Sequence, residues 1–201
     1  MKDWEMMEKF NLIELLQETR KAHAKPGGGA VVIYVANLAV NLMLMMDKKN
    51  WQDKKEQALQ YRQEILEISD ELTNLANNDI YHTNLLIDSF KKNEIVKDEL
   101  FINAASPQIK MDKLCLRAME ILGFFLEFGK ISTISDGQIA NNLLSEAINS
   151  SLPTIEINLK NISHEYNIES LIEKKDKLYK NNLKIIERRT KWQDYMLELE
   201  F

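Results

Sequence analysis

The sequence predicts an all-α protein, a single-domain bundle of about six helices with one buried helix near its centre. Three observations lead there. Apolar residues recur at steps of three and four over long stretches, the period that lines one face of a helix. Glycine and proline are scarce, 6 and 3 in 201 residues, too few for the many tight turns of a β-rich fold. The chain is 45% hydrophobic and 28% charged, which suits one sizeable core, and no repeat or Gly/Ser-rich linker divides residues 1–201.

The elements follow in order. The stretch KPGGGAVVIYVANLAVNLMLMM, residues 25–46, sets three glycines in a row before an apolar run with no charge until Asp47. From 30 to 46 the run is 17 residues. As a helix that is about 25 Å, short of the roughly 30 Å hydrocarbon core of a bilayer. It also carries Asn37 and Asn41 one turn apart. A helix wrapped by other helices is the reading, and no membrane is expected. Core-type residues at Ala58, Tyr61, Ile65, Ile68, Leu72 and Leu75, continuing to Leu86, predict one long helix over about 52–92. A second seam, Met111, Leu114, Ala118, Ile121, Phe125 and Phe128, predicts a helix that begins after Pro107 and stops at Gly129. At SDGQIANNLLSEAI, Ser135 with Gln138 forms a capping-box pattern, and Asp136 suits a first turn. PTIEINLKNIS alternates like a strand at Ile155, Ile157 and Leu159, but a lone strand has no partner here, so a short helix is expected. The last helix, about 165–198, shows Ile168, Leu171, Leu178, Ile185, Trp192 and Met196 at helical spacing.

Composition narrows the function classes. With 31 acidic against 26 basic residues there is no cationic excess for broad nucleic-acid binding. The single cysteine, Cys115, has no partner for an internal disulfide and reads as a reduced core residue. MKDWEMMEK lacks a following apolar segment, so no signal peptide is visible and a cytoplasmic protein is expected. Three scattered histidines and one cysteine do not make a zinc set, and no metal is expected. The glycine row lacks the Gly-Lys-Ser/Thr of a phosphate loop.

Two residues break the pattern. Asp79 and His82 fall on seam positions where leucine is expected. A carboxylate on an apolar face costs several kcal/mol unless it is paired or hydrogen-bonded. One reading is an acid whose pKa is raised toward neutrality for proton transfer, with His82 beside it. The other is a seam that drifts outward, an ion pair, or a hydrogen-bonded core histidine. Gly27, Gly28 and Gly29, just before a helix, let backbone N–H groups approach an anion or a polar ligand edge.

In order along the chain, Pro26-Gly27-Gly28-Gly29, Asp79, Pro107, Ser135-Asp136 and Asn158-Leu159 resemble the motifs of the cyclodeaminase/cyclohydrolase family of folate enzymes. The resemblance runs from about Phe10 to Trp192. It implies a helical domain that forms a homodimer and holds a tetrahydrofolate derivative near the glycine turn, with no further cofactor. Asp79 matches the family's proposed acid–base residue. Ser135, Asp136 and Asn158 match its other motifs. The chain departs from the pattern at Ala30, Lys130, Thr154 and His164. Lys130 is a cation that can hold a folate's carboxylate tail if its loop meets the glycine turn.

The resemblance implies hydrolysis of methenyltetrahydrofolate to the 10-formyl form, or loss of ammonia from formiminotetrahydrofolate. The lack of a transferase domain tilts the expectation toward the hydrolysis. The departures motivate the alternative, a non-catalytic folate-binding or helical-bundle interaction protein.

Overall fold

The computed structural model describes residues 12–21, 26–92, 96–160, 162 and 166–199. Phe10, His164 and the side chains of Trp192 and Met196 lie outside the described residues. The regular elements are all helical: α1 (Leu12–Thr19), α2 (Gly28–Met43), α3 (Lys55–Lys91), α4 (Asp98–Phe128), α5 (Ile134–Leu159) and α6 (Ile168–Leu199). Short 3-10 turns cover Leu44–Met46, Gln52–Lys54 and Ile131–Thr133.

Helix α2 packs against α3, α4 and α5. Small and branched residues let it sit deep: Ala30, Ile33, Ala36, Ala39, Val40 and Met43 are buried. Its two asparagines pair with α3. Asn37 Nδ2 donates to the Ser69 carbonyl at 3.0 Å and to Thr73 Oγ1 at 2.9 Å, and Asn41 Nδ2 donates to Ser69 Oγ at 2.9 Å. The enclosure is incomplete, however. Leu38 of α2 is 60% exposed and Met45 of the following 3-10 turn 54%, so an uncharged side of this segment, with Asn41 between them, faces outward.

Helices α3, α4 and α5 run up and down in sequence. Arg117 of α4 meets Glu64 of α3, and Ser151 of α5 meets Asp112 of α4. Helix α6 lies along α4 and α5. Asn182 donates to the Met119 carbonyl and to Asn141 Oδ1 (3.1 and 2.9 Å), while Arg189 donates to the Leu126 and Gly129 carbonyls at the end of α4. Those carbonyls are orphans of a helix terminus, and a guanidinium satisfies two at once. Trp51 stacks on Phe124 with ring centroids 5.4 Å apart, closing the core at the start of α3.

Three boundaries differ from expectation. Helix α4 starts at Asp98, nine residues before Pro107, which is buried inside it. The acids Asp98 and Glu99 in the first turn suit the helix dipole there. Proline is tolerated mid-helix because it deletes one i→i−4 bond and the flanking helices hold the rest. Helix α5 is entered through the 3-10 turn, with Thr133 at its cap position, so Ser135 is an exposed first-turn residue and not the N-cap. The segment after Pro153 is the end of α5 and not a separate helix. Ile155 and Leu159, four apart, are buried while Ile157 is 71% exposed, so what alternates in sequence is one face of a helix. The sixth helix is α1.

Candidate functional site

Asp79 sits in the C-terminal half of α3 and is 3% exposed. Its Oδ1 accepts from Gln108 Nε2 of α4 at 3.0 Å, and the Ala30 backbone N–H of α2 also donates to the carboxylate. No Lys or Arg pairs with it among the described residues. Burial pushes its carboxyl up to about 6, against the pull of those two donors. A carboxylate in that range changes protonation state near neutral pH.

The glycine turn is built onto this acid. A β-carbon on Gly29 would stand 2.6 Å from Asp79 Oδ1 and 2.8 Å from both Oδ2 and Gln108 Nε2. Glycine at 29 therefore lets the α2 backbone rest on the carboxylate. Gly27 is the N-cap residue with extended backbone, and Gly28 faces open space. The close approach expected of the row is made by one glycine, and toward the protein's own acid.

His82 follows Asp79 by three residues, but no hydrogen bond joins them among the described residues. It lines a hollow of about 160 Å³ between α3 and α4 with Asn78, Asn103, Ser106, Pro107 and Lys110. Burial, then the Lys110 charge, lowers its pKa, and its buried Nδ1 has no hydrogen-bond partner. His82 is thus a neutral imidazole on a polar hollow beside the Asp79 contacts.

One turn beyond Gln108, Asp112 is fully buried. Ser151 Oγ donates to its Oδ1 at 2.7 Å and Tyr166 OH donates to its Oδ2 at 3.1 Å. Burial pushes this carboxyl up to about 7, and the nearby acid in turn raises the Cys115 thiol beyond its burial alone. Sequence reading missed both Gln108 and Asp112. A signal was present. Asp112, Cys115, Met119, Leu122 and Leu126 form a second stripe at steps of three and four, and Gln108 extends it by one turn toward Pro107, within the helix expected to begin there.

Of the other candidates, Asn158 lies in the last turn of α5, its Nδ2 donating to the Thr154 carbonyl at 2.9 Å. Ile155 and Leu159 around it pack on Ala105, one turn before Gln108, which puts Asn158 at the glycine-turn end of the bundle. Lys130, Ser135 and Asp136 are elsewhere. The Lys130 backbone N–H donates to the Met46 carbonyl at 2.8 Å, and a β-carbon on Gly137 would stand 2.4 Å from Met46 Sδ. These residues surround the far end of α2, about 27 Å along the helix from the glycine turn. The loop of Lys130 and the glycine turn do not meet within one chain. Among the described residues, no three of His, Cys, Asp and Glu come together as a metal set.

A family model described as formiminotransferase-cyclodeaminase matches residues 11–177. The fold is similar to a crystal structure of formiminotetrahydrofolate cyclodeaminase from Thermotoga maritima, with a TM-score of 0.77 and 22% sequence identity, covering 96% of this chain and 100% of that one. No curated protein sequence matches the chain significantly.

Proposed function

The chain belongs to the formiminotransferase-cyclodeaminase family, and from that premise we propose that it releases ammonia from a formimino-tetrahydrofolate and closes the methenyl bridge. The neighbouring folate nitrogen attacks the formimino carbon, the bond from that carbon to the terminal nitrogen breaks, and ammonia departs. The attacking nitrogen loses a proton and the departing one gains a proton. One carboxylate that takes and gives a proton near neutral pH serves both transfers. Asp79, buried beneath the glycine turn without a cationic partner among the described residues, is the observation that carries this reading. The Gly27–Gly29 backbone and Asn158 hold the folate, His82 assists from the adjoining hollow, and no cofactor beyond the tetrahydrofolate takes part.

Hydrolysis of the methenyl bridge is the second reading. Its support in the sequence was chain size, and size does not separate the two reactions, because the Thermotoga cyclodeaminase is matched over its full length. The departure at Ala30 also leaves the site's donor in place, since Ala30 reaches Asp79 through its backbone N–H.

The placement of Lys130, Ser135 and Asp136 supports a homodimer. The outward side of α2 and of the turn after it, with Leu38, Asn41 and Met45 on it, carries no charge. Two copies packed antiparallel along this side bring the partner's Lys130, the partner's Ser135 and the partner's Asp136 to the glycine turn. Each ligand site then draws on both chains.

The test is spectroscopic. Incubation with 5-formiminotetrahydrofolate should raise the methenyl absorbance above the uncatalysed rate. Decay of added methenyltetrahydrofolate without any such rise would assign hydrolysis instead, and no change with either substrate would remove the enzymatic reading.

A further inference from the structure

Gln108 is fully buried on α4, and its two amide atoms have opposite fates. Nε2 donates to Asp79 Oδ1 at 3.0 Å, whereas Oε1 is buried with no hydrogen-bond partner among the described residues. The orientation of this amide is set by chemistry. An ionised carboxylate only accepts, so the NH2 edge must face Asp79 and the carbonyl edge must face away from it. Gly29 borders the same contact, since a β-carbon there would stand 2.8 Å from Gln108 Nε2. A buried acceptor without a donor is rare in folded proteins and asks for a partner that arrives later.

We propose that Gln108 Oε1 is a substrate-contacting acceptor, one that takes an N–H of a nitrogen-bearing, amidine-like group beside the Asp79 contact. This inference rests on the proposed reaction at Asp79 and adds the residue that selects its substrate. A formimino group carries N–H hydrogens on its terminal nitrogen. The Gln108 carbonyl offers such a group an acceptor, whereas an oxygen in the same place has no hydrogen to donate to it. The Ala30 N–H from α2 faces the same carboxylate. Entry requires the first turn of α2 to yield, and three successive glycines in residues 27–29 give that segment its freedom.

The ligand pair that reads this out is 5-formiminotetrahydrofolate and 5-formyltetrahydrofolate, which differ in an N–H against an oxygen at one position. Stopped-flow binding to the wild-type protein, read before turnover, should show the formimino form bound at least 10-fold tighter. In Gln108→Leu the preference should fall to within about twofold, through weaker formimino binding and unchanged formyl binding. Gln108→Glu, which keeps an acceptor, should retain most of the preference. Should the leucine variant fail to fold, Gln108→Met, closer in shape, takes its place. A preference that survives in Gln108→Leu or Gln108→Met overturns the inference, as does wild-type protein that binds both forms equally while still turning over the formimino substrate. That last result leaves the proposed reaction standing. A wild-type preference without any turnover supports the inference and counts against the reaction.

Discussion

The α-carbon of Gly29 rests against the carboxylate of Asp79, so that a β-carbon there would lie 2.6 Å from Oδ1. Glycine is required at 29 for this contact and not for its backbone angles, since no glycine among the described residues has a positive φ. Its neighbour Gly28 has no such constraint. Gly29→Ala should therefore cost about 1–3 kcal/mol of stability, the range for overpacking a close contact. Gly28→Ala should stay within about 0.5 kcal/mol of wild type or gain slightly from helix propensity. Urea unfolding of the two variants checks the contrast, and equal effects would count against it.

Asp79→Asn keeps the shape of the acid and removes its titration. Turnover should fall by about 100-fold or more with folate binding largely retained. In the wild type, the step that uses ionised Asp79 should gain rate as pH rises through about 6. A folded, ligand-binding Asp79→Asn variant with full activity would take Asp79 out of the mechanism.

Asp112 sets a pH dependence of stability. Its folded pKa is raised to about 7 from an ordinary 3.8. At low pH both folded and unfolded chains hold the proton, and the contribution is fully present. As pH rises through this window the unfolded chain releases its proton while the folded one keeps it, so stability falls until both are ionised. Asp79 acts in the same direction over a narrower window. The melting temperature should decline between pH 5 and pH 8, and Asp112→Asn should flatten much of that decline. A wild-type profile that rises over this range contradicts the assignment.

The entry to α5 depends on Thr133. Its Oγ1 lies 3.0 Å from the Met45 carbonyl and 3.1 Å from the Lys130 carbonyl, joining the α4–α5 turn to the end of α2. Thr133→Val should cost about 1 kcal/mol. Ser135→Ala, at an exposed position without a capping bond, should change stability by less than about 0.5 kcal/mol. Thermal melts separate the two.

Leu38→Glu tests the second copy. At 60% exposure the side chain should be tolerated in the isolated fold, yet it places a charge in the middle of the proposed α2 pairing. Sedimentation should show a dimer for wild type and a monomer for the variant, with circular dichroism unchanged. A wild-type monomer at micromolar concentration would remove the shared site.

Helix periodicity made the bundle legible because α2 to α6 are long and bury continuous faces, as in the run from Ala58 to Leu75. The same rule singled out Asp79, since a carboxylate on such a face is conspicuous. Gln108 and Asp112 lie on a second stripe of the helix expected after Pro107, beside the seam traced from Met111, and only the packing of that stripe against α3 and α5 marks them. Ser135 was misplaced for a related reason. Capping is a local signal, and the tie of Thr133 to Met45 is 88 residues distant in sequence. Depth along α2 is equally invisible in a list of motifs, so whether the Lys130 loop meets the glycine turn stayed open in the sequence, and a whole helix separates them.

Pro107 has no amide hydrogen, so the Asn103 carbonyl one turn before it lacks its intrahelical bond. The deletion falls directly before Gln108 and Asp112, where α4 begins to carry the site. Helix α4 should therefore behave as two exchange units joined at Pro107. The amides of residues 102–106 should trade hydrogen for deuterium faster, and with less dependence on global unfolding, than those from Met111 to Leu126. The leading nine residues can loosen and re-form on their own while the two acids stay clamped.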